Sequence, residues 1–403
     1  MKKLWNKDFI LMLQGNAVSA LGDVLYSVAI GYWVYEKTGS STLMGLMSSI
    51  SMFVVMFVTP FSGSMIDKLN RKHIIVGMDL IRGIVMILVG ILAYMKQLSV
   101  TIVLIAAFLA AVCSVFFSPA VSTLFLDIIP HDDMVRGQSV SNSISSFINL
   151  VGKAISGALV AFLGVPLIIL GNGISYLISA FTEMFIDVPK TSQQGERVTL
   201  DGLINDFKTG IHEIFNNKFL KLFIPSAIIL NFLGVGPMTL MLPFVLDKGF
   251  TVDMYGYLMS IETLASLICA ALLGIVKLKP KTRYYAFTIG FISSTILYLS
   301  AYLSTDFTVM AILLFLGCFT NSLGNAIFNA SLMLALPETN RGAILGFVSA
   351  SSTGGSALSA LVFGILCDIF PLTIIFVLGN VLSLIPMIYL CIHPNSKQFI
   401  LEH

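Results

Sequence analysis

Apolar residues run through this chain in blocks far longer than a buried core helix needs. Each block closes on a short interval rich in Gly, Pro, Ser, Lys or Arg. A hydrocarbon layer about 30 Å thick is crossed by about 20 helical residues at 1.5 Å each. On that ruler the pattern predicts twelve membrane helices. Six fall at 8–34, 42–66, 74–95, 100–128, 137–163 and 165–187, and six at 217–246, 253–276, 283–303, 307–336, 341–369 and 372–393. The runs are too long for the roughly ten-residue alternating strands of a membrane barrel, so the predicted class is all-α. Gly164–Pro166, Ser304–Thr305 and Pro371 mark tight reversals. The one long polar stretch, Pro189 to Asn216, reads as a linker with an amphipathic helix from Leu200 to Phe215. Met1-Lys2-Lys3 imitates the start of a signal peptide, but the apolar run from about Ile10 to Val34 is too long for one, and no small-residue cleavage site follows it.

The basic residues support this count. Of the 23 Lys and Arg, eighteen fall in segments on the side that holds the N-terminus; Lys37, Lys96 and Lys248 fall on the other side, and Arg82 and Lys153 lie within helices. One missed helix would scramble every later loop. Positive charge collects on the cytoplasmic side, so both termini are expected there.

Composition narrows the class further. Of 403 residues, 57% are hydrophobic and 11% charged, and the mean hydropathy is +0.93. A soluble domain carries about 25% charged residues. This balance excludes a disordered chain, a nucleic-acid binder and a water-soluble enzyme. The five Cys are scattered in apolar runs, and the five His fall in loops or at helix ends, which leaves no pattern for a metal or haem site. No Gly-rich phosphate loop is present; Gly152-Lys153 lacks the upstream Gly and the following Ser or Thr. No cofactor is expected, and an ion gradient is the expected energy source.

The two halves echo each other. Asn16 matches Asn231, Gly63 matches Gly274, and Pro130 before Arg136-Gly137 matches Pro337 before Arg341-Gly342, at offsets of 215, 211 and 207. A near-constant offset in the same order predicts two six-helix bundles, 1–188 and 217–403, joined by a cytoplasmic linker at 189–216. Parallel repeats of this kind belong to transporters, with the substrate site near the membrane midplane.

The stretch Gly63-Ser-Met-Ile-Asp67-Lys68-Leu-Asn-Arg71-Lys72 resembles the signature between the second and third helices of the major facilitator superfamily. Gly22-Asp23, Thr38-Gly39-Ser40, Asp79-Leu-Ile-Arg82 and Phe117-Ser-Pro119-Ala120 are similar to the macrolide-efflux branch, which resembles the enterobactin exporters. The resemblance covers essentially the whole chain. It implies a multi-pass protein of the bacterial plasma membrane, a monomer embedded in the lipid bilayer, that exports a macrolide-like drug or siderophore by proton antiport. Its partners are then a small-molecule substrate and protons, with no nucleic acid. The fifth segment departs from the Gly-Pro-x-x-Gly-Gly pattern of efflux members: Lys153 stands in place of Pro and Ala158 in place of the last Gly.

A charge at membrane depth is costly unless paired or hydrated, and so marks function. Asp23, Lys153 and Glu262 fall near the middle of the first, fifth and eighth segments. The superfamily brings those helices to one cavity, which implies a buried triad for proton coupling. Asn321, Asn325 and Asn329 stand four apart on one helical face, and Asn142, Asn149 and Lys153 share another. These amides are expected to line a substrate cavity. Asp127 and Glu183 lie near the inside ends of the fourth and sixth segments, and Arg82 lies about eight residues into the third with Asp79 one turn before it; these read as interfacial pairs or as part of a cytoplasmic gate. For the cytoplasmic gate the resemblance implies Gly63, Asp67, Arg71, Asp127 and Arg341. Asp67 would meet the N-terminus of the eleventh segment and Arg71 would pair with Asp127. A lysophospholipid carrier and a non-transporting sensor or immunity protein on the same fold are the alternatives.

Overall fold

The computed structural model describes residues 4–66, 70–187, 208, 211–212, 214–216, 218–276, 279–335, 341–394 and 397. Asp67 and most of the linker lie outside them. The regular elements are helical: α1 (Lys7–Thr38), α2 (Ser41–Ile66), α3 (Arg71–Tyr94), α4 (Val100–Ile128), α5 (Met134–Leu163), α6 (Val165–Glu183), α7 (Lys218–Thr239), α8 (Met241–Asp247), α9 (Val252–Ile275), α10 (Pro280–Leu303), α11 (Phe307–Ala335), α12 (Arg341–Ile369) and α13 (Leu372–Ile392). Twelve of them are long and apolar enough to cross a membrane.

The seventh predicted segment, 217–246, needs correction. It breaks between Thr239 and Leu240 into α7 and the seven-residue α8. Pro243 has no N–H to give the carbonyl of Thr239 four residues back, and Pro237 removes another bond in the turn before. Leu240 closes instead on Pro237 O at 3.0 Å. Elsewhere the ends shift by a few residues: α5 starts at Met134 behind a short 3-10 turn, His131–Asp133, and α6 stops at Glu183. A single residue, Gly164 at φ 77, joins α5 to α6.

The chain forms two compact units. The first contains residues 1–39, 50–198 and 252–257. One core of this unit gathers Phe9, Met12 and Leu13 of α1, Ile74 and Ile75 of α3, and Leu124, Phe125 and Ile128 of α4. α3 and α6 approach backbone to backbone because both present glycine. A Cβ on Gly83 would lie 2.7 Å from Leu177, and one on Gly173 2.8 Å from the Ile87 backbone nitrogen. Small residues are how membrane helices gain dispersion contact when no hydrophobic force separates them from lipid. Backbone cannot yield as a side chain can. Gly173→Ala is therefore expected to destabilise the protein by about 1–3 kcal/mol. Gly171→Ala on the same helix, where nothing lies within 4 Å of the new methyl, should leave stability unchanged. Thermal unfolding of both variants in detergent checks the pair.

The second unit contains residues 40–49, 199–251 and 258–403. Aromatic stacking organises it: Phe223 of α7 lies 3.8 Å from Phe328 of α11, and Phe244 of α8 lies 4.2 Å from Phe376 of α13. The first turn of α2 belongs here. Its free N–H groups are satisfied by Ser40, whose hydroxyl accepts from Leu43, and by Asp368 of α12. The Asp368 carboxylate accepts from Ser41 N at 2.6 Å, Thr42 N at 3.1 Å and the Ser40 hydroxyl at 2.7 Å. A carboxylate there also meets the positive end of the helix dipole. Asp368→Ala should cost about 1 kcal/mol, as lost N-caps do. The measurable result is faster hydrogen exchange at Ser41 and Thr42, with exchange along α7 unchanged.

Candidate functional site

The polar centre of the first unit is built on one face of α6. Asn172, Tyr176, Ser179 and Glu183 recur at three- and four-residue spacing and so point the same way. α1 lies against that face because it carries glycine where the two meet. A Cβ on Gly22 would collide with the side-chain oxygens of Asn172 and Ser175, and one on Gly15 would lie 2.9 Å from Ser179 Oγ and 3.0 Å from Glu183 Oε1. This close approach brings Asp23 to α6. Its carboxylate accepts a short hydrogen bond from the Tyr176 hydroxyl and a longer one, 3.4 Å, from Asn172 Nδ2.

α3 supplies the cation. Arg82 pairs with Asp79 one turn earlier, and its guanidinium lies over two rings, 4.3 Å from the centre of Phe117 and 4.5 Å from that of Tyr176. A planar, weakly hydrated guanidinium suits such a site better than an ammonium does. Asp79 is 0% exposed, Glu183 1% and Arg82 5%. Four atoms here are buried with no hydrogen-bond partner among the described residues: Asp79 Oδ2, Arg82 Nε, Glu183 Oε2 and Tyr26 Oη. An orphaned buried polar atom costs about 1–3 kcal/mol, and such groups cluster where function retains them.

Asp79, Arg82 and Glu183 are buried in the first unit, with Arg82 paired to Asp79. The glycines at these contacts let α6 pack closely on α1 and on α3. The Arg82 guanidinium acts electrostatically on Asp23. The Lys153 carbonyl accepts from Ser156 Oγ at 2.7 Å, and Gly256 packs against it. Glu262 is buried in the second unit, where its backbone carbonyl accepts from Ser266 Oγ and Cys318 Sγ, each at 3.2 Å. Arg71 donates to Asp127 across α3 and α4. Gly63 sits in the last turns of α2, and Arg341 opens α12.

The second unit holds a cavity of about 290 Å³ between α7, α10, α11 and α13. Asn321 and Asn325 line it, and Asn329 does not. Asn142 and Asn149 are not part of it: Asn142 accepts from Gln138 at 3.0 Å and Asn149 donates to the Ser145 carbonyl at 2.9 Å, both along α5. Sequence reasoning passed over Asn380, Tyr298 and Tyr302, which also line the cavity. It reached Asn231 only as a repeat partner of Asn16. The missed signal was an amide inside an otherwise apolar span, as informative singly in α13 as in a row of three.

Twelve apolar spans, a buried ionic cluster within one helical unit and an amide-lined cavity within the other describe a multi-pass helical membrane protein. The chain belongs to the Major Facilitator Superfamily, whose family model matches residues 12–358, with a second match over 226–400. It is a multi-pass protein of the bacterial plasma membrane. It is 26% identical over 218 residues to macrolide efflux protein A of Streptococcus pyogenes, covering 54% of this chain and 53% of that protein. It is 28% identical over 211 residues to the putative bacilysin exporter BacE of Bacillus subtilis, covering 52% of this chain and 51% of that protein. The chain thus matches about half the length of these two relatives. The crystal structure of the nucleoside transporter NupG shares the fold, with a TM-score of 0.73 at 13% identity over 98% of this chain and 99% of that one.

Proposed function

We propose that the protein is a secondary exporter of amphipathic small molecules, driven by proton entry through alternating access. The observation that carries this reading is the buried cluster around Asp23. Three carboxyls, those of Asp23, Asp79 and Glu183, lie within electrostatic reach of one guanidinium, that of Arg82, which is paired to Asp79. Three carboxylates against one guanidinium leave a net charge of −2, which two bound protons bring to balance. A site that gains and loses protons as its access alternates is what coupling to a gradient requires. The α6 face from Asn172 to Glu183 offers the proton a line of polar groups toward the end of the helix. The roles for which these relatives are named, macrolide efflux and bacilysin export, favour export as the direction.

In this reading the halves 1–188 and 217–403 are the two bundles, 189–216 links them, and the protein works as a monomer. Asp67, Gly63, Arg71, Asp127 and Arg341 form the cytoplasmic gate. Lys153 and Glu262 tune the coupling cluster, and Asn142, Asn149 and Asn329 serve the substrate path. The test is a susceptibility panel on cells with and without the gene, repeated with an uncoupler. Resistance that disappears with the uncoupler supports proton-driven export. Resistance that survives it favours a lipid-type carrier, and an identical panel with and without the gene overturns export.

A further inference from the structure

The cavity between α7, α10, α11 and α13 limits what it can hold. None of the described residues lining it carries a charge. Its polar groups are the amides of Asn231, Asn321, Asn325 and Asn380 and the hydroxyls of residues such as Ser294 and Ser383. An anion or cation entering it would give up its hydration and meet no counter-charge, a heavy penalty in a low-dielectric interior. The cavity therefore selects against charged headgroups.

The amides have capacity to spare. Asn325 Nδ2 donates to Asn321 Oδ1 at 2.7 Å and to the Asn321 carbonyl at 3.1 Å, and Asn231 Nδ2 donates to the Ala227 carbonyl at 3.0 Å. These bonds hold the amides in place and leave acceptor oxygens on Asn325 and Asn231. Asn380 Oδ1 is buried with no partner among the described residues, an acceptor in want of a donor. An amide offers both donor and acceptor, which matches a hydroxyl or a secondary amide on the ligand. The aromatic rings of Phe291, Tyr298, Phe328 and Phe376 supply an apolar wall for a ring face. At about 30 Å³ per water in the liquid, 290 Å³ is room for about ten water molecules, the bulk of one substituted six-membered ring.

We propose that this cavity is a subsite for an uncharged, hydroxyl-bearing ring of monosaccharide size, the polar end of an amphipathic molecule whose apolar remainder lies outside it. The assignment rests on the exporter reading above and narrows its substrate class to compounds with a neutral, hydroxylated group.

Direct binding to the purified full chain tests it without reference to transport. The probes are p-nitrophenyl β-D-glucopyranoside and p-nitrophenyl β-D-glucuronide, which differ in one carboxylate, titrated calorimetrically in detergent. The glucoside should bind at least tenfold more tightly than the glucuronide. Asn380→Leu and Asn321→Ala should each weaken the glucoside about tenfold. Ser300→Ala, exposed on α10 and outside the cavity, should not change its affinity. Equal affinity for the two probes, or no binding of either, overturns the subsite. Glucoside binding by a protein that exports nothing in the susceptibility panel would leave the subsite standing and overturn the exporter.

Discussion

Asp23→Asn should abolish gradient-driven export, at least tenfold below the unmodified protein, while the chain still folds and still exchanges substrate. The substitution is isosteric. Its carbonyl oxygen can accept from the Tyr176 hydroxyl as the carboxylate does, so the packing of α1 on α6 is retained. Asp79 remains as partner to Arg82. What is lost is a group that can carry a proton at this depth. Two assays in proteoliposomes separate the consequences. Uphill movement under an imposed pH gradient should disappear, whereas counterflow, which exchanges labelled for unlabelled substrate with no gradient, should persist. Undiminished uphill movement in the variant would remove Asp23 from coupling. Loss of both would mean that Asp23 serves binding or fold.

Removing Arg82 should produce the largest loss of stability in the first unit. The guanidinium is 5% exposed, paired to Asp79, which is 0% exposed, and lies over the rings of Phe117 and Tyr176. Breaking a buried pair by deleting one partner costs about 3–5 kcal/mol, because the other charge stays buried and alone. Arg82→Ala should therefore unfold at markedly lower temperature in detergent. Arg82→Lys should recover only part of the loss, since a compact, strongly hydrated ammonium is costlier to bury beside two rings than a guanidinium. Arg82→Met with Asp79→Asn should recover most of it, because neither charge remains. A single Arg82→Ala variant that melts with the unmodified protein would show that the pair adds nothing to stability.

What the sequence alone determined is what depends on local pattern. Twelve spans were legible because crossing a bilayer demands about 20 apolar residues in each helix, whatever that helix packs against. The family resemblance was legible for a similar reason: its motif occupies one short stretch around Gly63. The break at Thr239 was within reach, since Pro243 stands four residues on, but the hydropathy continues across it and hid the stop. The composition of the polar centre was visible too; Asp23, Asp79, Arg82 and Glu183 were each singled out.

Only the tertiary structure decided their partners. Asp23 meets Tyr176 and Asn172 across 153 and 149 positions of chain, and no local period encodes such a pairing. It follows from which helix faces lie together, and that is governed by the absence of side chains at Gly22, Gly83 and Gly173. The same holds for the cavity. The row Asn321, Asn325 and Asn329 shares one helical face, yet only the first two line it, and Asn231 and Asn380 join them from α7 and α13. A helix shows its face in its sequence, but what that face meets is set by the packing of other helices, whose contacts are non-local and depend on shape.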